Sequence, residues 1–463
     1  MSGPHREAWI VSRLSGWGRF PAEECRLFRP EKRSGLRSIL ESPECTSYIA
    51  RGLGRSYGDA ALNRDGGVVS FVRLDRMLAF DPETGVLECE AGVSFEEILR
   101  CFLPRGYFLP VTPGTKFVTV GGAIASDVHG KNHHRVGTIS PFIRDLRLLT
   151  SGGDILECSR ETNPEVFRAT IGGMGLTGFI VSARMRLQPV ETAYVLVDYE
   201  RARNIDQALA RMEESDERYE YSVAWIDCLS GGSSLGRSVL MRGNPARRGD
   251  LPARVPDPST PQRHLRLSVP FDFPSWVLNR ATVEAFNSAF YRKHRDQQGR
   301  LVDFDTYFYP LDSIRDWNRL YGRRGFVQYQ VALPMETSRA GTIELLERFR
   351  SSKRVSFLAV LKRFGDAGEG LLSFPFKGYT LTLDLPVQDG LVEFLQETDR
   401  ILLRHGGRLY AAKDAVTTAE SFAAMYPNLD RFRRIRERVD PDNRLVSSLA
   451  RRVGIVPSGG HTG

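Results

Sequence analysis

Lysine, cysteine and long apolar runs are the scarce features of this chain. Only 8 of its 64 cationic residues are lysine; the rest are arginine. Each lysine departs from a strong habit and marks a candidate position for a compact, titratable amine. The six cysteines (Cys25, Cys45, Cys89, Cys101, Cys158 and Cys228) form no C-x-x-C pair. That speaks against a zinc site or a disulfide framework and for reduced, buried thiols. No apolar run approaches the roughly 20 residues needed to span a bilayer. The opening MSGPHREAWIVSRLSGWGRF has no apolar core, no small-residue cleavage site and no twin-arginine signal, so neither a signal peptide nor a transmembrane helix is expected. A cytoplasmic or membrane-associated protein follows, with a periplasmic or cell-envelope location left open. Arginine is spread along the chain rather than gathered in a stripe, which excludes nucleic acid as the expected partner. The net charge of +8 suits solubility, with a weak attraction to anionic membranes or phosphorylated substrates beside it.

Glycine is plentiful, in two stretches. Pro113–Gly137 reads PGTKFVTVGGAIASDVHGKNHHRVG and holds five glycines, three of the eight histidines and two lysines. Ala50–Ala60 reads ARGLGRSYGDA. Glycine lets backbone approach a ligand without a Cβ, and successive amides in such turns make anion-binding concavities. Together they predict a cradle for a large phosphate-bearing ligand, with the small apolar run Val118–Ala125 beside a flat ring. His129 and His133 are four apart, but Gly130 argues against a helix. No metal is expected; a hydrogen-bonding role beside a cofactor is preferred, and a structural role remains the alternative. The literal G-x-G-x-x-G of Gly173–Gly178 follows a helical segment and precedes a strand, the reverse of a dinucleotide fingerprint, and predicts a tight turn with amides facing a ligand.

Along the chain, a helix is expected near 30–41, strands at Tyr48–Ala50, Val68–Phe71, Met77–Phe80 and Val86–Glu90, and a helix opened by the Ser94/Glu97 capping box. A β run at Phe117–Val120, strands at Leu146–Thr150 and Phe179–Leu187, and a helix at Asn163–Thr170 complete this part. From about 193 a β-α-β unit is expected (Ala193–Tyr199, Ile205–Glu214, Tyr219–Asp227), then a long loop at Arg242–His264. Strand Phe326–Pro334, helix Gly341–Arg350, strands Val355–Lys362 and Tyr379–Leu385, and helix Gly390–Leu403 predict one larger antiparallel sheet covered by helices. Strand alternation puts Gln328 and Gln330 on one face, and Thr380, Thr382 and Asp384 on one face.

The two glycine stretches, GMGLTG with the strand after it, LSGWGR (Leu14–Arg19), YSVAWIDCLS (Tyr221–Ser230), DWNRLYG (Asp316–Gly322), FVQYQ (Phe326–Gln330), LSFPFKGY (Leu372–Tyr379), GGRLYAAKD (Gly406–Asp414) and AMYP (Ala424–Pro427) carry a resemblance over nearly the whole chain. The chain resembles the vanillyl-alcohol-oxidase (PCMH-type) family of FAD-binding proteins with a D-arabinono-lactone-oxidase-like C-terminal part. Within it, the likeness is to the branch oxidising polyprenylphosphoryl pentoses, the flavin half of a two-enzyme epimerase. The resemblance implies an α/β (α+β) fold: an FAD-binding domain at 1–192, a substrate domain at 193–405 and a segment at 406–455 completing the site; the terminal stretch 456–463 is itself expected to be a disordered tail. It implies that Arg51, Gly52, Leu53, Gly54, Arg55, Ser56, Tyr57, Gly58 and Asp59 wrap the pyrophosphate. Gly114, Thr119, Val120, Gly121, Gly122, Ser126, Asp127, Val128, His129, Ile180 and Tyr410 would line the rest of the cofactor. Some relatives attach FAD through a histidine in the first loop; Arg55 stands there, so FAD is expected to be non-covalent.

The expected reaction is oxidation of a sugar 2′-hydroxyl to the ketone by hydride transfer to flavin N5, on a polyprenylphosphoryl-β-D-ribose-like substrate. Lys413, with Tyr57 or His129, is the expected catalytic group; Gln328, Gln330, Lys362, Thr380, Thr382 and Phe308 are expected to touch substrate. Thr382 replaces the family's cysteine, Thr380 its asparagine and Phe308 its tyrosine. A short-chain reductase partner and a quinone or O2 acceptor are implied, for a role in cell-wall arabinan precursor synthesis. The alternatives are an alditol or aldono-1,4-lactone oxidase using O2 and, in another class, a non-catalytic basic peripheral binding protein.

Overall fold

The computed structural model describes residues 8–253, 255, 257–262, 267–274, 276–352 and 354–456; the expected tail lies, from Pro457 on, outside them. Three sheets organise the chain. A four-stranded sheet runs in the order Trp9–Ser15, Ala22–Phe28, Gly67–Ser70, Tyr48–Arg51, and a five-stranded one in the order Met77–Asp81, Val86–Glu90, Phe179–Arg186, Ile143–Leu149, Ile155–Ser159. The third has eight strands: Gln297–Asp303, Tyr194–Ala202, Ser238–Pro245, Tyr221–Ile226, Ala359–Phe364, Gly378–Pro386, Phe326–Pro334 and Arg408–Leu409. Every pairing in it is antiparallel.

The α/β architecture and the large antiparallel sheet are as the sequence predicts. The sheet's helical cover is fixed by side chains on its outer face. Tyr329 donates to Asp399 of helix Leu391–Arg404 at 2.9 Å, and Leu345, Leu346 and Phe349 of helix Met335–Ser351 are buried beside it. The opposite face of the same central strands is therefore left to carry polar groups. Among the described residues no helix is long and apolar enough to cross a membrane.

Five expectations change. Phe117–Val120 is not a strand: Thr119 accepts the Gly122 N–H and caps the helix Val120–Ala125, so capping overrides the β-branched run. The strands flanking helix Ile205–Ser215 are not neighbours; Ser238–Pro245 lies between them, antiparallel to both. That strand also takes up Arg242–Pro245, the start of the expected loop, whose residues 254, 256, 263 and 264 lie outside the described set. Helix Met335–Ser351 starts directly on the end of its strand, six residues earlier than its pattern suggests, and the strand expected from Val355 begins at Ala359. The capping box at Ser94 and Glu97 is present.

The C-terminal helix Ser448–Arg452 locks the first glycine loop to the turn after Arg408–Leu409. Arg452 forms a paired contact with Asp59 at 2.7 and 2.9 Å and another to Asp414 at 2.8 Å. Both carboxylates are buried, so removing the guanidinium strands two charges. Arg452→Ala is expected to lose about 3 kcal/mol or more of stability, measured by denaturant unfolding, with Arg452→Lys losing less.

Candidate functional site

Antiparallel register gathers one polar face. Gln328 stands opposite Asp384, Gln330 opposite Thr382, and Thr380 opposite Lys362. Side chains of directly paired residues share a face, so all six point to the same side. Gln328 donates to Asp384 at 2.6 Å, and Gln330 donates to Thr380 at 3.3 Å. Trp225 continues the face through its pairing with Val360, which pairs with Thr382.

The second glycine stretch closes over this face. The Gln330 amide and His129 Nε2 lie 2.9 Å apart, and His129 packs against Phe364, Phe374 and Tyr410. Tyr410 stacks on Phe374 and donates to the Ser126 carbonyl at 2.8 Å. Asp127 takes a left-handed φ of 40° and accepts from Ser373. On the far side, Tyr57 donates its backbone N–H to Ala412 and meets Phe326 edge-on. The Lys413 Nζ sits 3.8 Å from the centre of the Tyr57 ring.

Three of the rare lysines converge here. Lys362 raises the cost of protonating His129, His133, Lys131 and Lys413, which places all five groups in one electrostatic neighbourhood. Burial lowers Lys362 to about 8 and, with Lys362 adding its repulsion, Lys131 to about 7. Burial also lowers Lys413 to about 7 against the pull of Asp384. Burial raises the Asp384 carboxyl, against the Gln328 hydrogen bond and the Lys413 charge. Burial first, then Lys362, holds His129 neutral, well below its ordinary range. Among the described residues none of these three lysines makes an ion pair, whereas Lys116 is neutralised by Asp305 at 2.7 Å. A face with unpaired ammonium groups, two amides and two hydroxyls can bind an anion that also carries hydroxyl groups.

The first glycine loop lies beside Tyr57 with its amides open. Among the described residues none of the backbone N–H groups of Gly52, Leu53, Gly54, Arg55 and Ser56 donates a backbone hydrogen bond. Gly54 has φ +67°, and Arg51 folds beneath it to brace the Ser15 and Ala61 carbonyls. Arg55 stacks on Trp17 at 3.9 Å. Gly114 and Gly122 are exposed, and space around Gly114 is open. His129 Nδ1 and Trp225 Nε1 are buried without a partner among the described residues. Open amides, the uncrowded Gly114 and unpartnered buried nitrogens fit a phosphate-bearing cofactor with a polar ring.

Other expected site residues are engaged elsewhere. The Asp59 carboxylate is taken by Arg452. Phe308 packs among Phe108, Phe304 and Tyr221 behind Lys131, whose Nζ donates to the Tyr307 carbonyl. Gly58 is pressed on Asp414, Gly121 on Ala91, and Val120, Val128 and Ile180 are core. The turn Gly173–Gly178 is wholly buried, and its Met174 amide serves the Ala125 carbonyl. Lys131, Asp384, Tyr321 (3.5 Å from Asp384) and Trp225 were not singled out as site residues from the sequence. Lys131 carried the same signal as Lys413, a lysine in an arginine-rich chain; Trp225 and Tyr321 carried none.

Known proteins are similar to this chain in sequence. A family model described as an FAD binding domain matches residues 27–159, and one described as D-arabinono-1,4-lactone oxidase matches residues 324–453. The decaprenylphosphoryl-β-D-ribose oxidase of Mycolicibacterium smegmatis is 39% identical over 452 residues, spanning 96% of this chain and 98% of that protein. The L-gulono-1,4-lactone dehydrogenase of Mycobacterium tuberculosis is 23% identical over 455 residues, 94% of this chain and 98% of the relative. The L-gulonolactone oxidase of Bos taurus is 24% identical over 457 residues, 92% and 94% of the two chains. Fold and site thus define an FAD-dependent oxidoreductase of the PCMH/vanillyl-alcohol-oxidase type, acting on a sugar or alcohol group. The chain belongs to the decaprenylphosphoryl-β-D-ribose oxidase family. FAD is its cofactor, bound non-covalently; the Arg51–Asp59 loop offers neither histidine nor cysteine for attachment.

A Cβ on Gly52 would lie 2.3 Å from the Thr119 hydroxyl. Gly52→Val is therefore expected to separate the two glycine stretches and to purify with little bound flavin, read as visible absorbance per protein; wild-type flavin content would show that the loop does not meet the cofactor.

Proposed function

We propose that this enzyme oxidises the 2′-hydroxyl of a polyprenylphosphoryl-β-D-ribose-like substrate to the ketone, the first half of a 2′-epimerisation. The observation that carries the reading is the convergence of unpaired Lys131, Lys362 and Lys413 on a face lined with amides and hydroxyls. A neutral sugar lactone gives such a face nothing to neutralise; a sugar phosphodiester does. In this reading residues 1–192 with 406–455 hold FAD and residues 193–405 hold the substrate.

The open loop amides of Gly52–Ser56 would cradle the pyrophosphate, and Gly114, Thr119, Gly122, Ser126 and His129 would line the ring end. FAD, when bound, supplies the acceptor for the two electrons that leave with the C2′ hydrogen. The chain's own task is the other half: to hold the sugar and take the hydroxyl proton. Lys362 and Lys131 attract the phosphate. Gln328, Gln330, Thr380 and Thr382 bind sugar hydroxyls. Lys413 is unprotonated in part at neutral pH and accepts the proton as the carbonyl forms. Asp384 takes up the positive charge created on Lys413, while Tyr57 and neutral His129 steady the developing negative oxygen. A quinone or O2 would be the final electron acceptor, and a short-chain reductase would return hydride to the other face of the ketone.

A second reading, an aldonolactone oxidase, is favoured by the match of residues 324–453 to the D-arabinono-1,4-lactone oxidase model. Anaerobic bleaching of the bound flavin separates the two. Lipid-linked ribose is expected to bleach it and L-gulono-1,4-lactone to leave it yellow; the reverse pattern would sink the proposal. Lys413→Ala is expected to keep its flavin and lose about a thousandfold or more in bleaching rate. A base must be unprotonated to act, so wild-type kcat/KM should rise with pH and level off above about 7, and the variant should lack that rise.

A further inference from the structure

Large apolar side chains are exposed at scattered points of the surface, with one concentration. Leu267, Phe271, Trp276 and Phe286 are 58%, 62%, 73% and 39% exposed and fall within twenty residues of sequence. Phe271 and Trp276 are outermost, and the chain that carries them is braced. Asp272 pairs with Arg19, the Phe273 N–H donates to the Arg319 carbonyl at 2.9 Å, and Arg319 donates to the Pro270 carbonyl at 2.9 Å. Leu267–Ser268 pairs in parallel with Ile314–Arg315. Val269 is buried, and Leu278 packs on the cluster of Tyr57, Trp317, Tyr321 and Phe326, the wall of the site that meets Lys413 and Asp384. The outward aromatics thus sit on the outer side of the Tyr57 wall.

We propose that this strip is a docking surface for an anionic lipid bilayer, seated so that the site opens to the membrane face. The proposal rests on the lipid-linked reading of the substrate. Charge favours it. Asp272 is held by Arg19, Glu284 by Arg280 and Asp389 by Arg324, so the nearby acids are largely neutralised. Arg315 and Arg323 are exposed without an ion pair among the described residues, with Asp316 the exposed acid beside them. Aromatic side chains projecting among arginines match the apolar–anionic boundary of a bilayer, where indole rings lie at headgroup depth. Docking there lets a lipid-anchored sugar phosphate reach the lysines while its chain stays in the membrane.

The test is co-sedimentation of the holoprotein with phosphatidylcholine vesicles, with and without phosphatidylglycerol. Wild type is expected to bind the anionic vesicles more strongly. The double variant Phe271→Ser, Trp276→Ser is expected to lose about tenfold or more of that partition while keeping its flavin and its turnover of a detergent-dispersed substrate. Arg315→Glu with Arg323→Glu should abolish the preference for phosphatidylglycerol. Equal sedimentation of wild type and double variant, or no binding by either, overturns the proposal. So does a concentration-dependent dimer that the double variant abolishes without any vesicle binding, since the strip would then cover a second copy. Vesicle binding without oxidation of lipid-linked ribose supports docking and defeats only the substrate reading; oxidation in detergent without vesicle binding defeats only docking.

Discussion

Burial of three lysines that have no ion-pair partner among the described residues is the constraint on which the site depends. Lys131, Lys362 and Lys413 share one neighbourhood, and the carboxyl that acts on Lys413, Asp384, is itself pushed toward its neutral form by burial. Replacing such groups by apolar residues is often stabilising, so their presence points to a ligand that supplies the missing negative charge. The same burial, with a smaller push from Lys362, gives Lys413 its second property. An amine whose proton is weakly held can accept another group's proton near neutral pH, which an arginine in the same place could not.

That arrangement needs two parts of the chain held in register. The glutamine–histidine contact joins the sheet face to the second glycine stretch, and Arg452 joins the first glycine loop to the turn bearing Lys413. The helical cover on the outer sheet face, pinned through Tyr329, leaves the inner face free for polar groups. Sheet, loops and C-terminal helix therefore act on one small volume, although they lie hundreds of residues apart in sequence.

Much of this was legible in the chain. Strand Phe326–Pro334 stands where its pattern puts it, and period-two alternation alone placed Gln328 with Gln330. Local signals failed where two of them competed: at Val118–Val120 β-branched residues lost to a threonine cap. Long-range pairing was not legible. Nothing near Asp384 in sequence says that it faces Gln328, because that contact is set by sheet register. Asp59 read as part of a cofactor loop, yet its carboxylate is bound by an arginine 393 residues away. The rarity of lysine points to Lys413 and applies equally to Lys131.

The central claim is that this cationic face selects a sugar carrying a phosphate. The most direct measurement is the anaerobic rate of flavin reduction by two synthetic substrates that differ in one group: a short polyprenylphosphoryl-β-D-ribose and the corresponding polyprenyl riboside without phosphate. Two charge-assisted contacts to the phosphate predict an advantage of about a hundredfold or more in the second-order rate for the phosphodiester. Equal rates for the two would contradict the account, whatever the identity of the sugar.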